Sequence, residues 1–163
     1  MQALGRCTKT LARVNIRSTG RSSSSLLSRQ KGLALCGGRS LGGRRTAHSD
    51  SINTGWRNES FRGYADYMQT PAFAEQIDWL MGQQELSAVA IMCAEAVPWR
   101  CHRSLIGEAV LARGSAVEDV YVLPDGRSSR KPHLMTLFAQ VKGRLVFYPG
   151  PSSEQADLMG ILP

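Results

Sequence analysis

The segment from Ala88 to Leu123 constrains the fold of this chain more than any other part of its sequence. Ala88 to Cys93 is a continuous apolar run of strand length, which is typical of a parallel strand buried on both faces. A helix is predicted over about 101–113, and Val117 to Leu123 supplies a second strand. Because a helix between two parallel strands packs back onto their sheet with one preferred hand, this order predicts a right-handed crossover unit in an α/β sheet.

Two helices are predicted before this unit. The spacing of one helical face is kept by Phe61, Tyr64, Ala65 and Met68, and such a face either packs in the core or forms an aromatic wall beside a ligand. A second helix is predicted from Thr70, a favourable N-cap, and Pro71, which is tolerated at the first helical position. Gly82 is placed to end that helix.

The segments after the crossover unit predict a loop and a hairpin. Residues 126–132 are polar and basic and are expected to form a loop. Residues 137–141 and 144–148 are apolar segments on either side of Lys142 and Gly143, which favours a hairpin. The predicted fold class is therefore α/β, a small three-layer-type sheet with a central parallel strand-helix-strand unit and a C-terminal hairpin.

The charge of the chain is concentrated at its N-terminus. Residues 1–49 hold ten of the 20 Lys and Arg and no Asp or Glu, whereas residues 50–163 hold the other ten and all 13 acids. The net charge of +7 is therefore a property of an N-terminal arm. Non-specific binding of nucleic acid is a hypothesis for that arm alone.

The length of 163 residues suits one core, and we divide the chain into an arm (1–40), a single α/β domain (41–150) and a tail (151–163). Three interpretations of the arm stay open: an organellar transit peptide, an eroded first half of the fold with a strand at Leu11–Ile16, and a disordered polar tail. The expected location is the cytoplasm, or an organelle if the arm is a transit peptide. No apolar run is long enough to span a membrane, so no membrane association is expected.

The four cysteines are Cys7, Cys36, Cys93 and Cys101. They follow no long apolar signal segment, which indicates free thiols in a reducing compartment rather than a disulfide framework. Their spacing lacks the two close pairs of a structural zinc site. We therefore predict neither a metal site nor a cofactor, and the oligomeric state stays open.

Polar residues that could act in catalysis or binding cluster after the first predicted strand. The set comprises Cys93, Glu95, Arg100, Cys101, His102 and Arg103. In open α/β sheets ligands bind at the carboxyl ends of the strands, and a helix that begins near Cys101 aims its free N–H groups at the same place. The segment therefore predicts an anion site for phosphate or carboxylate.

Each residue of this set has a predicted role. Cys101, at the helix N-terminus and among cationic side chains, is the preferred reactive cysteine, and Cys93 is second or a buried inert thiol. His102 is a base, an anion donor or a capping residue, and Glu95 is a general acid or an ion-pair partner of the neighbouring arginines. His133 is expected to join Arg100 and Arg103 in binding the anion.

Six segments strongly resemble the domain of unknown function 488 family over about 41–150. They are Leu41-Gly-Gly-Arg-Arg45, Asn53-Thr-Gly-Trp-Arg57, Ser60-Phe-Arg-Gly-Tyr-Ala-Asp-Tyr-Met68, Met92-Cys-Ala-Glu95, Pro98-Trp-Arg-Cys-His-Arg-Ser-Leu-Ile106 and Pro132-His133. The resemblance implies a small α/β domain with signature residues at Cys93, Glu95, Cys101, His102, Arg103 and His133. It implies no reaction. The chain departs from the family pattern at Asn15, where an acid is expected, and at Gly20, where proline is expected.

Three hypotheses for function follow. The leading one is a thiol nucleophile, Cys101 or Cys93, acting on a phosphate-bearing small molecule or a nucleotide at the anion site. The second is a module that binds nucleotide or nucleic-acid phosphates at that site without covalent chemistry, with bases stacking on Trp56 or Trp99. The third is a divergent family member without activity of its own.

Overall fold

The described part of the chain contains six strands, three α-helices and one short 3-10 helix. A computed structural model describes residues 10–16, 39–42, 44–86, 88–93, 95, 101–122 and 127–151. The strands are β1 (Thr10–Ile16), β2 (Ala90–Met92), β3 (Ala116–Val122), β4 (Ser128–Pro132), β5 (Gln140–Lys142) and β6 (Leu145–Phe147). The helices are a short 3-10 helix (Arg39–Leu41), α1 (Glu59–Tyr67), α2 (Pro71–Leu86) and α3 (Arg103–Leu111). The fold is mixed α/β, as predicted.

Strands β1 to β4 form one sheet in the order β2-β1-β3-β4, and β5 and β6 form a separate antiparallel hairpin. Strand β1 pairs in parallel with β2 and with β3, so that Val14 lies beside Met92 on one side and Val120 on the other. Strand β4 runs antiparallel to β3. The inner strands of the sheet are therefore β1 and β3, and its edges are β2 and β4.

The expected central, doubly buried position of the apolar run Ala88–Cys93 is wrong. Strand β2 is only Ala90–Met92, lies at the edge of the sheet and exposes both Ala90 and Met92. The reason is that β1 takes the place between β2 and β3. An apolar run shows that a segment is strand-like, but it does not show which strand pairs beside it.

The predicted loop at 126–132 is also wrong in part, because Ser128–Pro132 forms β4. Every residue of β4 is exposed, so the segment lacks the alternation of apolar and polar residues that marks a half-buried strand. Pro132 and the basic pair Arg130 and Lys131 are typical of an edge strand that must not pair further.

The two predicted helices form where their N-caps place them. Asn58 caps α1, and its Oδ1 accepts hydrogen bonds from the backbone N–H groups of Ser60 (2.9 Å) and Phe61 (3.3 Å). The Thr70 Oγ1 accepts from the Phe73 N–H at 3.3 Å. Gly82 does not end α2 as predicted, since the helix continues to Leu86; a glycine inside an exposed helix costs only about 1 kcal/mol relative to alanine.

The core lies between the sheet, the three helices and the hairpin. It buries the predicted apolar face of α1 and the sides of α2 and α3 that carry their apolar residues. Its largest apolar members are Leu41, Phe61, Tyr64, Met68, Phe73, Ile77, Leu80, Leu105, Ile106, Val110, Val117, Val146 and Tyr148. The prediction that the aromatic face of α1 packs in the core is confirmed.

Strand β1 lies inside the segment 1–40 that the sequence sets apart as an arm. Residues 39 and 40 of that arm begin the 3-10 helix, and the remaining residues of the arm, including Cys7 and Cys36, lie outside the described residues, as do Trp99, Arg100 and the tail from residue 152. No helix among the described residues is long and apolar enough to cross a membrane.

Asp66 on α1 fixes the loop that precedes the helix. Its Oδ1 accepts hydrogen bonds from the Ser51 hydroxyl (2.5 Å) and the Asn53 amide (2.8 Å), and its Oδ2 accepts from the His48 backbone N–H (2.9 Å). Burial alone raises the pKa of Asp66, but these hydrogen bonds outweigh it and hold the pKa below its ordinary value.

We expect the stabilisation by Asp66 to disappear in acid. Because the folded pKa is lowered, the contribution is fully present above the unfolded pKa of about 4 and is lost as the pH falls through the folded value. In urea unfolding, Asp66→Asn should lower the free energy of unfolding by about 1–3 kcal/mol at pH 7. The difference from the parent protein should become smaller below about pH 4. Asp50→Asn, an exposed carboxylate on the same loop, is the control for the change of charge. A loss that does not narrow in acid would contradict this role.

Candidate functional site

Three potential ligand or nucleophile atoms converge where β2 ends and α3 begins. Cys93 directly follows β2, and Cys101 and His102 directly precede α3. The two sulfur atoms and a ring nitrogen of His102 all lie within 4.8 Å of one another. The structure thus brings together three of the residues that the sequence selects, although seven residues separate the two cysteines in the chain.

Arg103, the first residue of α3, lies inside this cluster. Its side chain is 1% exposed. The Nε–H donates to the Cys101 Sγ at 2.9 Å, and an Nη2–H donates to the Glu95 carbonyl oxygen at 2.7 Å. A guanidinium so deeply buried requires partners of this kind. Arg103 therefore holds the segment before α3 while placing its positive charge beside the sulfur of Cys101.

The two thiols differ in exposure. Cys101 is 1% exposed, whereas Cys93 and His102 are half-buried, so the cluster meets solvent through these two residues. Both are free thiols. The Cys93 Sγ accepts from the Glu95 N–H at 3.5 Å. Burial raises the pKa of Cys93; contact with Cys101 adds to this effect, and the Glu95 N–H and Arg103 oppose it.

His102 occupies the N-cap position of α3 but makes no capping hydrogen bond through its side chain. Its ring lies 5.1 Å from the ring of Tyr64, centre to centre. Burial lowers the pKa of His102, and the positive charges of Arg103 and Arg45 lower it further. The imidazole is therefore neutral at neutral pH and has a nitrogen that can accept a proton.

Sequence reasoning did not select Arg45 as a member of the site, and it included Tyr64 only in a face that either packs in the core or lies beside a ligand. The Arg45 guanidinium stacks on the Tyr67 ring at 4.2 Å and donates to the Ser40 carbonyl oxygen at 3.1 Å. The Tyr64 hydroxyl donates to the Leu41 carbonyl oxygen at 2.6 Å, and burial raises its pKa.

Both residues could have been found from their motifs. Arg45 belongs to the Leu41–Arg45 segment, which we used only as a mark of family resemblance. The aromatic face of α1 was expected to be either core or the wall of a site. Tyr64 serves as both, because it is 1% exposed and its ring contacts His102.

His133 is placed differently from the thiol cluster. It is 7% exposed, its Nδ1 lies 3.2 Å from the Asp119 Oδ2, and its Nε2 lies 3.1 Å from the Ser104 carbonyl oxygen. Both ring nitrogens are thus engaged within the protein, and the ring rests against Gly107, where a Cβ would come within 2.7 Å of it. The anion-binding role of His133 stays a prediction, and Arg100 lies outside the described residues.

The comparison with protein families identifies one match. A family model described as domain of unknown function DUF488 matches residues 14–110. The match begins within β1 and ends within α3, so it contains the whole Cys93, Cys101, His102 and Arg103 cluster, and also Arg45 and Tyr64. No curated protein and no solved structure matches the chain.

Proposed function

We propose that this chain, which belongs to the DUF488 family, carries a nucleophilic thiol, Cys101, that acts on an electrophilic atom of a phosphate-bearing substrate. The observation that carries the proposal is the 2.9 Å hydrogen bond from the buried Arg103 Nε–H to the Cys101 Sγ. A neutral thiol is a weak acceptor, whereas a thiolate accepts strongly from a guanidinium. The Arg103 Nε–H therefore stabilises the thiolate, which is the reactive form of the Cys101 sulfur.

The neighbours of Cys101 supply the proton transfers. In the attack, the Cys101 sulfur forms a bond to the electrophilic atom and the bond from that atom to the leaving group breaks. Cys93, whose proton is held because burial raises its pKa, gives this proton to the leaving group. His102, which is neutral, then takes a proton from a water whose oxygen forms a bond to the same atom; the bond from that atom to the Cys101 sulfur breaks, and the proton passes from His102 to the Cys93 thiolate.

The charge around the cluster favours an anionic substrate. Arg103 and Arg45 both lower the pKa of His102, so their positive field reaches the place where the reacting atoms lie. Helix α3 begins at this point and adds the positive end of its dipole. The proposal keeps the interpretation of β2, α3 and β3 as a crossover unit of a parallel sheet, in which the segment after β2 lies at the carboxyl edge where ligands bind.

Alkylation of the native protein tests the nucleophile. In a Cys7→Ser, Cys36→Ser background, we expect iodoacetamide at pH 7 to modify Cys101 before Cys93, with peptide mass spectrometry as the readout. Arg103→Gln should slow the modification of Cys101 about tenfold or more, because a hydrogen bond to a charged group contributes about 1.5–3 kcal/mol. Arg130→Gln on β4, where the side chain is 69% exposed, should leave the rate unchanged.

The same measurement in urea separates the remaining hypotheses without a variant. Thiols that stay inert in the native protein and react only in urea would contradict the nucleophile and favour a module that binds phosphate groups without covalent chemistry. Equal rates with and without urea would mean that no folded thiol site exists, as expected of a divergent member without activity.

A further inference from the structure

We infer that Cys93 and Cys101 form a reversible disulfide when the protein meets a peroxide. The two sulfur atoms lie within 4.8 Å of one another, close enough that contact with Cys101 contributes to raising the pKa of Cys93. Both are free in the structure. The inference rests on the proposed function only for its consequence, since a disulfide removes the nucleophile that Cys101 supplies.

The two sulfur atoms are close enough for a disulfide to form after a local movement. A disulfide bond is about 2 Å long, so the sulfur atoms must approach by less than about 3 Å from the 4.8 Å limit. Neither cysteine belongs to a helix or a strand. Rotation of the two side chains breaks no backbone hydrogen bond of the sheet or of α3, and it leaves in place the hydrogen bonds that the Cys101 carbonyl oxygen accepts from the N–H and hydroxyl of Ser104 at the start of α3.

The chemistry balances with one molecule of peroxide. The sulfur of the first cysteine attacks a peroxide oxygen, so that an S–O bond forms, the O–O bond breaks and hydroxide leaves. The sulfur of the second cysteine then attacks the sulfenic acid; the S–S bond forms, the S–O bond breaks and a second hydroxide leaves. The protons of the two thiols convert both hydroxides to water, and His102, within 4.8 Å of both sulfurs, is placed to carry one of them.

The same three residues resemble the ligand set of a thiophilic metal ion, but the surrounding charge favours the disulfide. Arg103 and Arg45 already place two positive charges at the cluster, and a metal ion would add a third. A disulfide is neutral, and its formation is favoured by cations that stabilise the attacking thiolate. Cys93, which is half-buried, is also more accessible to a small oxidant than the buried Cys101.

Peptide mapping tests the disulfide directly. Arg100 and Arg103 are tryptic sites, so trypsin separates a peptide of residues 63–100 with Cys93 from the tripeptide Cys101-His102-Arg103. We treat the full chain in the Cys7→Ser, Cys36→Ser background with hydrogen peroxide, block remaining thiols with N-ethylmaleimide and digest without reductant. The two peptides should appear linked, at least about tenfold faster in the native protein than in urea, because the fold holds the thiols together.

Controls keep the failure of this inference distinct from the failure of the proposed function. Cys93→Ala should abolish the linked peptide and leave oxidised Cys101 acids, and dithiothreitol should restore alkylation of Cys101 in the parent protein. Alkylation that depends on Arg103 but no linked peptide would overturn the disulfide alone. A linked peptide with alkylation independent of Arg103 would overturn the nucleophile alone, and linkage that is no faster than in urea would overturn the inference that the fold builds the pair.

Discussion

Replacing Glu108 by alanine is expected to lower the free energy of unfolding by about 3–5 kcal/mol, because the change leaves three donors without their acceptor. Glu108 lies on α3 and is 1% exposed. Its Oε1 accepts from the Thr136 N–H (3.1 Å) and hydroxyl (2.6 Å), and its Oε2 accepts from the Tyr148 hydroxyl (2.7 Å). One carboxylate thus ties α3 to the segment after β4 and to the end of β6.

Urea unfolding followed by circular dichroism measures this loss. Glu108→Gln keeps the shape of the side chain but offers an N–H₂ group where a donor already points, so we expect an intermediate loss. Glu75→Ala, which removes an exposed carboxylate from α2, should change the free energy of unfolding by less than about 0.5 kcal/mol. A loss in Glu108→Ala no larger than in Glu75→Ala would show that the buried network does not stabilise the fold.

Two glycine-to-alanine substitutions within helices should have opposite effects on stability. Gly63 on α1 has no room for a side chain, because a Cβ there would clash with the Arg45 carbonyl oxygen and lie 2.6 Å from the Thr46 carbonyl carbon and 2.7 Å from the Ala47 nitrogen. These are backbone atoms and cannot rotate away. We expect Gly63→Ala to lose about 3 kcal/mol.

Gly82→Ala on α2 is the matched control for that change. No atom lies within 4 Å of a Cβ at Gly82, so alanine should stabilise the helix by about 0.5–1 kcal/mol. Thermal unfolding of the two variants and of the parent protein shows whether each substitution raises or lowers the stability. If Gly63→Ala also gained stability, segment 45–47 would not pack on α1 as described, and Arg45 would not be held beside the thiol cluster by that contact.

Helices α1 and α2 were predictable because their determinants are local. The capping of α2 by Thr70, the proline at position 71 and the spacing of Phe61, Tyr64 and Met68 can all be read within a few turns of chain. The end of α2 was not predictable, because a helix continues through a glycine such as Gly82 when the residues beyond it still pack.

The arrangement of the sheet depends on partners that a sequence does not display. Strand β1 pairs with residues about 80 and 106 positions later, and nothing in Ala88–Cys93 indicates that another strand lies between it and β3. Strand β4 has no apolar alternation because it is exposed throughout. An alternating apolar pattern identifies a strand that buries one face. It fails for an edge strand such as β4, which buries neither face.

The candidate site likewise contains residues that the sequence could place and residues that it could not. Cys93, Cys101, His102 and Arg103 lie within eleven residues of sequence, so their proximity could be argued from one strand-loop-helix connection. Arg45 comes to the cluster through the packing of 45–47 on α1 and could not be placed that way. The burial of Cys101 was also outside the reach of the sequence, which marked Cys93 as the thiol that could be buried, whereas Cys101 is the more buried of the two.

The central position of β1 has a consequence for the order in which the protein acquires its fold. Val14 pairs with Val120, so the two inner strands of the sheet are separated by more than a hundred residues of chain. Closing a loop of that size costs entropy before any strand contact repays it. During synthesis β1 leaves the ribosome before its two partners and stays unpaired until β2 and then β3 follow, while α1 and α2 can form earlier from local contacts. Sheet assembly, and with it the positioning of the thiols between β2 and α3, is therefore expected to be the last and slowest step of folding.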